Sequence, residues 1–188
     1  MKKVFMFLAQ GFEDIEALIP LDVLRRGGVD VKTVSVGKDY MVTSAHGVDI
    51  KADFMFNEIN REEADLLMLP GGMPGATNLY EHKELCQALL KQNEKGKMIS
   101  AICAAPAVVL AQLGILDSRR ATCYPGFEQM LTNATYTGDL VTVDKNITTA
   151  EGPAAAFPYA YELLEQLTDK TTADKIAEGM RYKHLMNQ

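Results

Sequence analysis

A chain of 188 residues, 47% apolar and 23% charged, is long enough for an α/β core and too hydrophobic to be disordered. Its 19 Lys and Arg against 25 Asp and Glu leave a net charge of −6 spread along the sequence, which argues against nucleic acid or an anionic membrane as a main partner. Three cysteines without a Cys-x-x-Cys pair exclude a disulfide framework and a zinc module.

The run KKVFMFLA (2–9) is continuously apolar after its lysines, the pattern of a strand buried on both faces. It ends at Ala9, too early for a secretory signal, and no other run reaches membrane-spanning length, so the expected compartment is the cytoplasm. Residues 13–28 follow with Ile15, Leu18, Ile19 and Val23 at helical spacing, an internal Pro20 that predicts distinct first turns, and a stop at Gly27-Gly28. Strand patterns recur at 29–37, at 64–72 ahead of a glycine pair, and at 96–103, while 46–56 reads as short strand or hairpin material. An amphipathic helix is expected over 78–95 and another over 105–116, with Pro106 placed for a first turn. A short strand at 120–125, a hairpin over 140–150 turning at Asp144-Lys145-Asn146, and two closing helices complete the chain. No repeat or linker interrupts it, so residues 1–188 read as one domain, with 184–188, including His184, as a loose tail.

Alternating strands and helices predict a mostly parallel sheet covered on both faces, with a small antiparallel hairpin. Ligands of such sheets bind beyond the carboxyl ends of the strands, which points to Gln10-Gly11, to Pro70-Gly71-Gly72 and to Cys103. Ala101-Ile102-Cys103-Ala104-Ala105 places small residues around the cysteine, as a tight strand-to-helix elbow requires. A sulfur at such an elbow, beside a helix N-terminus, is expected to titrate below the ordinary thiol; a buried structural cysteine is the competing reading. The glycines of LPGGMPGA (69–76) are either a plain turn or a source of N–H donors for an oxyanion. Glu13, Asp14 and Glu16 open the helix at 13–28, where acids are favoured electrostatically, and the residues alone do not choose which of them serves the cysteine. Cys86 and Cys123 read as core, and no local His or Cys spacing specifies a metal, so no metal site is expected.

GFEDIEALIPLDVLRRGG, LPGG, AICAAPAVVLA and EGPAAAF occur in an order that resembles the ThiJ/PfpI superfamily, in the branch of the parkinsonism-associated protein deglycase and bacterial YajL. The resemblance implies a flavodoxin-like three-layer α/β sandwich, commonly a homodimer through the first helix, with no cofactor. It makes Cys103 the nucleophile and Glu16 its carboxyl partner, with backbone donors from Gly71, Gly72 and Ala104. Three positions depart from the pattern. Ala104 stands where the peptidase-like branch has histidine, Tyr124 where the deglycase has a histidine before proline, and His46 where the family often has arginine. Peptidase chemistry therefore ranks last, and proton transfer falls to Glu16, Tyr124 or water. The implied activity is a glyoxalase or deglycase acting on small aldehydes, methylglyoxal-type dicarbonyls or their protein adducts, with Tyr124, His46 and Glu13 as substrate contacts. The alternative is a non-catalytic redox sensor or chaperone in which Cys103 is oxidised to the sulfinic acid.

Overall fold

The computed structural model describes residues 1–186. Strand β1 (Lys3–Leu8) is buried on both faces, as its unbroken apolar run requires. Helix α1 (Asp14–Arg26) follows and runs through Pro20 as one element, ending before Gly27. Next come β2 (Asp30–Ser35), an antiparallel hairpin of β3 (Met41–Thr43) and β4 (Asp49–Lys51), and the short β5 (Phe54–Met55). Then β6 (Leu66–Leu69) leads to α2 (Gly75–Glu81), α3 (Lys83–Glu94) and β7 (Met98–Ile102). After a π-helical turn over Pro106–Ala111, β8 (Arg120–Ala121) and β9 (Thr135–Tyr136) pair in a small separate ribbon. The chain closes with β10 (Val141–Asp144), β11 (Ile147–Ala150), α4 (Ala156–Leu167), α5 (Lys170–Gly179) and α6 (Tyr182–Met186).

Seven strands form the central sheet in the order β10-β11-β7-β6-β1-β2-β5, parallel except at β10. The walk from β1 to β2 goes one way and the walk from β6 to β7 the other. Right-handed crossovers therefore put α1 on one face and α2–α3 on the opposite face. Helix α4 packs on α1, and the π-helical turn packs on α2, which completes three layers. The order reverses between β1 and β6, and the crevice beyond their carboxyl ends is the topological switch point.

The distinct first turns expected from Pro20 are not found, since α1 is one helix through that residue, and four further sequence expectations change. The helix over 78–95 is two helices, because His82 ends α2 and its imidazole Nδ1 accepts the Leu85 N–H as the cap of α3, at 3.1 Å. The helix over 105–116 shrinks to the π-helical turn, whose residues Pro106–Leu110 are all buried, so packing overrides the α period. The strand over 120–125 contributes only Arg120–Ala121 and stays outside the central sheet. Residues 184–186 of the expected tail belong to α6, and 187–188 lie outside the described residues.

Candidate active site

The loops after β1, β6 and β7 converge at the switch point. Cys103 has φ +65°, a left-handed conformation that costs a non-glycine residue about 1–2 kcal/mol. The elbow is pinned on both sides. The Cys103 N–H donates to the Ala150 carbonyl at the end of β11, and its carbonyl accepts the Tyr124 N–H, each at 2.9 Å. Small neighbours are needed here: a Cβ at Gly71 would meet Glu16 Oε2 at 2.6 Å, Cys103 Cβ at 2.7 Å and the Ile102 carbonyl at 2.8 Å. Gly72, with φ +87°, has no more room, since a Cβ would lie 2.5 Å from the Glu13 nitrogen.

Helix α1 begins against these loops. Glu13 caps it by accepting the Glu16 N–H at 2.8 Å, and the Glu13 N–H donates to the Gly71 carbonyl at 3.0 Å. The cap turns Glu16 inward, where it is fully buried and hydrogen-bonded to the Cys103 side chain. Burial raises the Glu16 pKa to about 7, helped by the Glu13 charge and opposed by the hydrogen bonds from Cys103 and the Gly71 N–H. Burial and the Glu16 carboxylate push the Cys103 thiol up to about 12, against the Gly72 and Ala104 N–H groups that donate to the sulfur.

The expectation of a thiol held low by a helix N-terminus is therefore not met. The sulfur is buried, at 9% exposure for the residue, and the following turn is too short for a helix dipole. What the site holds is a thiol and a carboxyl in hydrogen-bond contact, the carboxyl giving up its proton near neutral pH while the thiol keeps its own, and because the two interact their titration belongs to the pair. When the proton lies on Glu16, the charge opposing the thiolate is gone and the carboxyl donates to sulfur.

Of the other expected residues, Gly72 and Ala104 direct N–H groups at the sulfur. Gly71 is a correction: its N–H donates to Glu16 Oε2 at 2.9 Å and is not open to an oxyanion. Tyr124 flanks the elbow with its ring against Gly152, and its side chain is half-exposed. His46 stands at the rim, where Nδ1 bonds Asp14 Oδ2 at 2.7 Å and the Asp14 hydrogen bond and charge raise its pKa. Burial works against the Asp14 carboxylate, but hydrogen bonds from Ser44 and His46 outweigh it and keep its pKa low. Glu13, Asp14 and His46 bring ligand-type atoms within 4.8 Å of one another, a convergence no local spacing announced. All three are already engaged, Glu13 as the helix cap, Asp14 with Ser44 and His46 with Asp14, so the cluster reads as the anchor of α1 to the β3–β4 hairpin. Sequence reasoning also missed Ser44, whose hydroxyl donates to Asp14 Oδ1 at 2.6 Å, and no local signal marked it.

A flavodoxin-like sheet with a strained cysteine at the switch point and a buried carboxyl against its sulfur defines a class of cysteine-site α/β proteins. Within that class, residues 2–166 match the model of the DJ-1/PfpI family, and the chain belongs to it. It is 39% identical over 177 residues to the Arabidopsis thaliana protein named DJ-1 homolog B, covering 94% of this chain and 40% of that one. The chain thus spans less than half the length of this relative. It is 32% identical to Deglycase PH1704 of Pyrococcus horikoshii, covering 88% of this chain and 99% of that protein. The structure of oxidized Toxoplasma gondii DJ-1 superposes with a TM-score of 0.93 at 37% identity, over 96% of this chain and 98% of that one. No helix among the described residues is long and apolar enough to cross a membrane.

Proposed function

We propose that the protein is a cofactor-independent, cysteine-dependent enzyme that converts small dicarbonyls of the methylglyoxal type, free or as protein adducts, to hydroxy acids. The observation that carries this reading is the Cys103–Glu16 pair, a nucleophile hydrogen-bonded to a carboxyl with a pKa near neutrality at a strained elbow. The proton moves to Glu16, and the thiolate adds to the aldehyde carbon of methylglyoxal. A C–S bond forms, the carbonyl electrons go to oxygen, and Glu16 returns the proton there. Glu16, again a carboxylate, takes the proton from that carbon and delivers it to the neighbouring carbon through an enediol, leaving a lactoyl thioester. Water then hydrolyses the thioester to lactate and the free thiol. The Gly72 and Ala104 N–H groups, which already face the sulfur, suit an oxyanion formed beside it. Tyr124, His46 and Glu13 form the rim that meets the substrate. Support comes from a relative at 32% identity that carries the name deglycase. Methylglyoxal turnover to lactate should fall to background in Cys103→Ser and by about a hundredfold or more in Glu16→Gln; equal activity in wild type and Cys103→Ser sinks the reading.

A second reading, redox sensing at Cys103, is favoured by the solved relative described as oxidized. Cys86 and Cys123 are buried too, and burial raises both of their pKa values. Mild peroxide should place sulfinic acid on Cys103 well ahead of these two internal references, and equal oxidation at all three refutes it. Ile15 and Leu18, exposed on α1, support the further proposal of a homodimer through that helix, in a cytoplasmic protein. Sedimentation of the wild type against Leu18→Lys distinguishes dimer from monomer.

A further inference from the structure

The segments that converge on the elbow share a feature the proposed chemistry does not use. Residues 9–16, 70–78, 101–108, 122–128, 136–140 and 150–155 contain no lysine or arginine, although the chain has 19 of them. The same segments contain Glu13, Asp14, Glu16, Glu128, Asp139 and Glu151. His46 is the base at the opposite rim, and it is tied to Asp14. Arg120 lies beside this region on β8, where its guanidinium faces Asp139 at 3.7 Å. The segments that form the mouth thus carry negative charge and no lysine or arginine of their own to balance it.

Glu151 stands between two residues that touch the elbow. The Ala150 carbonyl before it accepts the Cys103 N–H, and Gly152 after it lies against the Tyr124 ring, where a Cβ would stand 3.0 Å from Cδ2. The Glu151 N–H donates to the Leu140 carbonyl at 3.0 Å, which fixes the backbone of this turn. Its carboxylate is half-buried and makes no hydrogen bond or ion pair among the described residues. Glu128 comes from the turn after Tyr124, where it accepts the Gly126 N–H. Burial raises the Tyr136 pKa and the neighbouring Cys123, Glu128 and Glu151 add to it, so both carboxylates border that ring. Tyr124, Tyr136 and Leu140 are half-exposed here. Aromatic faces beside carboxylates attract a cation and cover its apolar stem. A cleft of one sign also concentrates ions of the other sign and repels its own.

We propose that this mouth is a charge filter in which Glu151 and Glu128 are specificity-determining residues, admitting dicarbonyl adducts on peptides that carry a further, unmodified lysine or arginine and turning away anionic aldehydes. The same field expels the hydroxy acid, which leaves as an anion. The substrate half of the proposal rests on the dicarbonyl reading; the filter rests only on the Cys103 thiol and the charges around it.

Two methanethiosulfonate reagents of similar size, one ending in trimethylammonium and one in sulfonate, test the filter without turnover. Each transfers its alkylthio group to Cys103, forming a disulfide and releasing methanesulfinate, so the ratio of their rates cancels the reactivity of the sulfur itself. Normalised to a small neutral thiol and read by mass at the Cys103 peptide, the ratio should favour the cation by about tenfold at low salt. It should shrink towards one at ~0.5 M salt. Glu151→Gln should cut it by about two- to fivefold and Glu128→Gln by less. Glu94→Gln, the same charge change on α3 at the far end of the strands, should leave it unchanged. A ratio near one at low salt overturns the filter, as does an equal response to Glu94→Gln and Glu151→Gln. Should Glu151→Gln fail to fold, Glu128→Gln carries the same test. With methylglyoxal-modified peptides, a flanking lysine in place of a flanking glutamate should lower KM by about tenfold with kcat unchanged, and Glu151→Gln should narrow that gap. Equal KM values overturn the substrate assignment. Absence of turnover with either peptide sinks the dicarbonyl reading instead, and the labelling ratio then decides the filter.

Discussion

The two ends of the parallel strands solve opposite problems. At the amino ends the polar groups are paired. Gln92, 4% exposed, donates from Nε2 to the carbonyls of Ala64, Asp65 and Met98 at 3.2–3.5 Å. Lys97 Nζ donates to the carbonyls of Glu62 and Ala64 at 2.8 Å, and Asn146 Nδ2 to the Lys97 carbonyl at 2.9 Å. The Asp65 carboxylate accepts the Lys3 N–H at 2.9 Å and the Lys2 ammonium at 3.0 Å. At the carboxyl ends stand a cysteine and a glycine at positive φ and a buried carboxyl whose pKa is raised. The amino ends fasten the strands, and that stability offsets strain and desolvation concentrated where chemistry is possible.

The largest effect is expected from closing the contact at the carboxyl end. Gly71→Ala inserts a methyl between the Glu16 carboxylate, the Cys103 Cβ and the Ile102 carbonyl, two of which cannot swing away. Turnover and Cys103 labelling should fall on the order of a hundredfold, with about 1–3 kcal/mol of destabilisation from overpacking. A fully active Gly71→Ala protein breaks the claim that this end is built around direct contact of the pair.

The two ends should also respond oppositely to pH. Glu16 has its folded pKa raised from 4.5 to about 7, so the unfolded chain gives up the proton first as pH rises. Its contribution is fully present below about pH 4.5 and is lost as pH rises through about 7, on the order of 3 kcal/mol by pH 8. Asp65 at the other end has a lowered pKa: burial opposes its charge, but hydrogen bonds from Lys3 and Lys2 outweigh it. Its stabilisation is present above the ordinary carboxylate range and is lost on acidification. Tm followed from about pH 4 to pH 8 should fall in the wild type and stay nearly flat in Glu16→Gln, which becomes the more stable protein at the alkaline end. Parallel curves for the two proteins refute the buried-carboxyl account.

A smaller effect is confined to the fastened end. Gln92→Leu keeps the volume and removes the three donated hydrogen bonds, so it should cost about 1–2 kcal/mol in denaturant unfolding. Labelling of Cys103 should be unchanged. A loss of labelling in the folded variant couples the two ends and ends the comparison as drawn.

Much of this division was legible in the residues. The unbroken apolar run of β1 and the stop at Gly27-Gly28 follow from local pattern, and Ala101, Ala104 and Ala105 announce the elbow before any family does. The partner of the cysteine was not legible locally, because Glu13 and Glu16 share a helix start and only the cap, Glu13 to the Glu16 N–H, turns Glu16 inward. The role of Gly71 was misread since its N–H is spent on a residue 55 positions away. His82 hid the break between α2 and α3, as imidazole is not among the residues favoured as helix caps. Residues 105–116 kept a helical spacing that the complete burial of Pro106–Leu110 then overrode.

The finest test concerns backbone strain at Cys103 alone. With φ +65° the residue occupies a region where glycine carries no steric penalty and any Cβ carries one. Cys103→Ala and Cys103→Gly both remove the sulfur, its hydrogen bonds and its effect on Glu16, so their difference isolates one methyl group at a left-handed position. Elsewhere glycine is the less stable choice, because it loses more freedom on folding and leaves a small cavity. Here relief of a strain of about 1–2 kcal/mol opposes those losses, and Cys103→Gly should unfold at a temperature equal to or a few degrees above Cys103→Ala. A clear deficit of the glycine variant at every pH means that the elbow is relaxed, and the carboxyl end then differs from the amino end by its buried charge and not by its backbone.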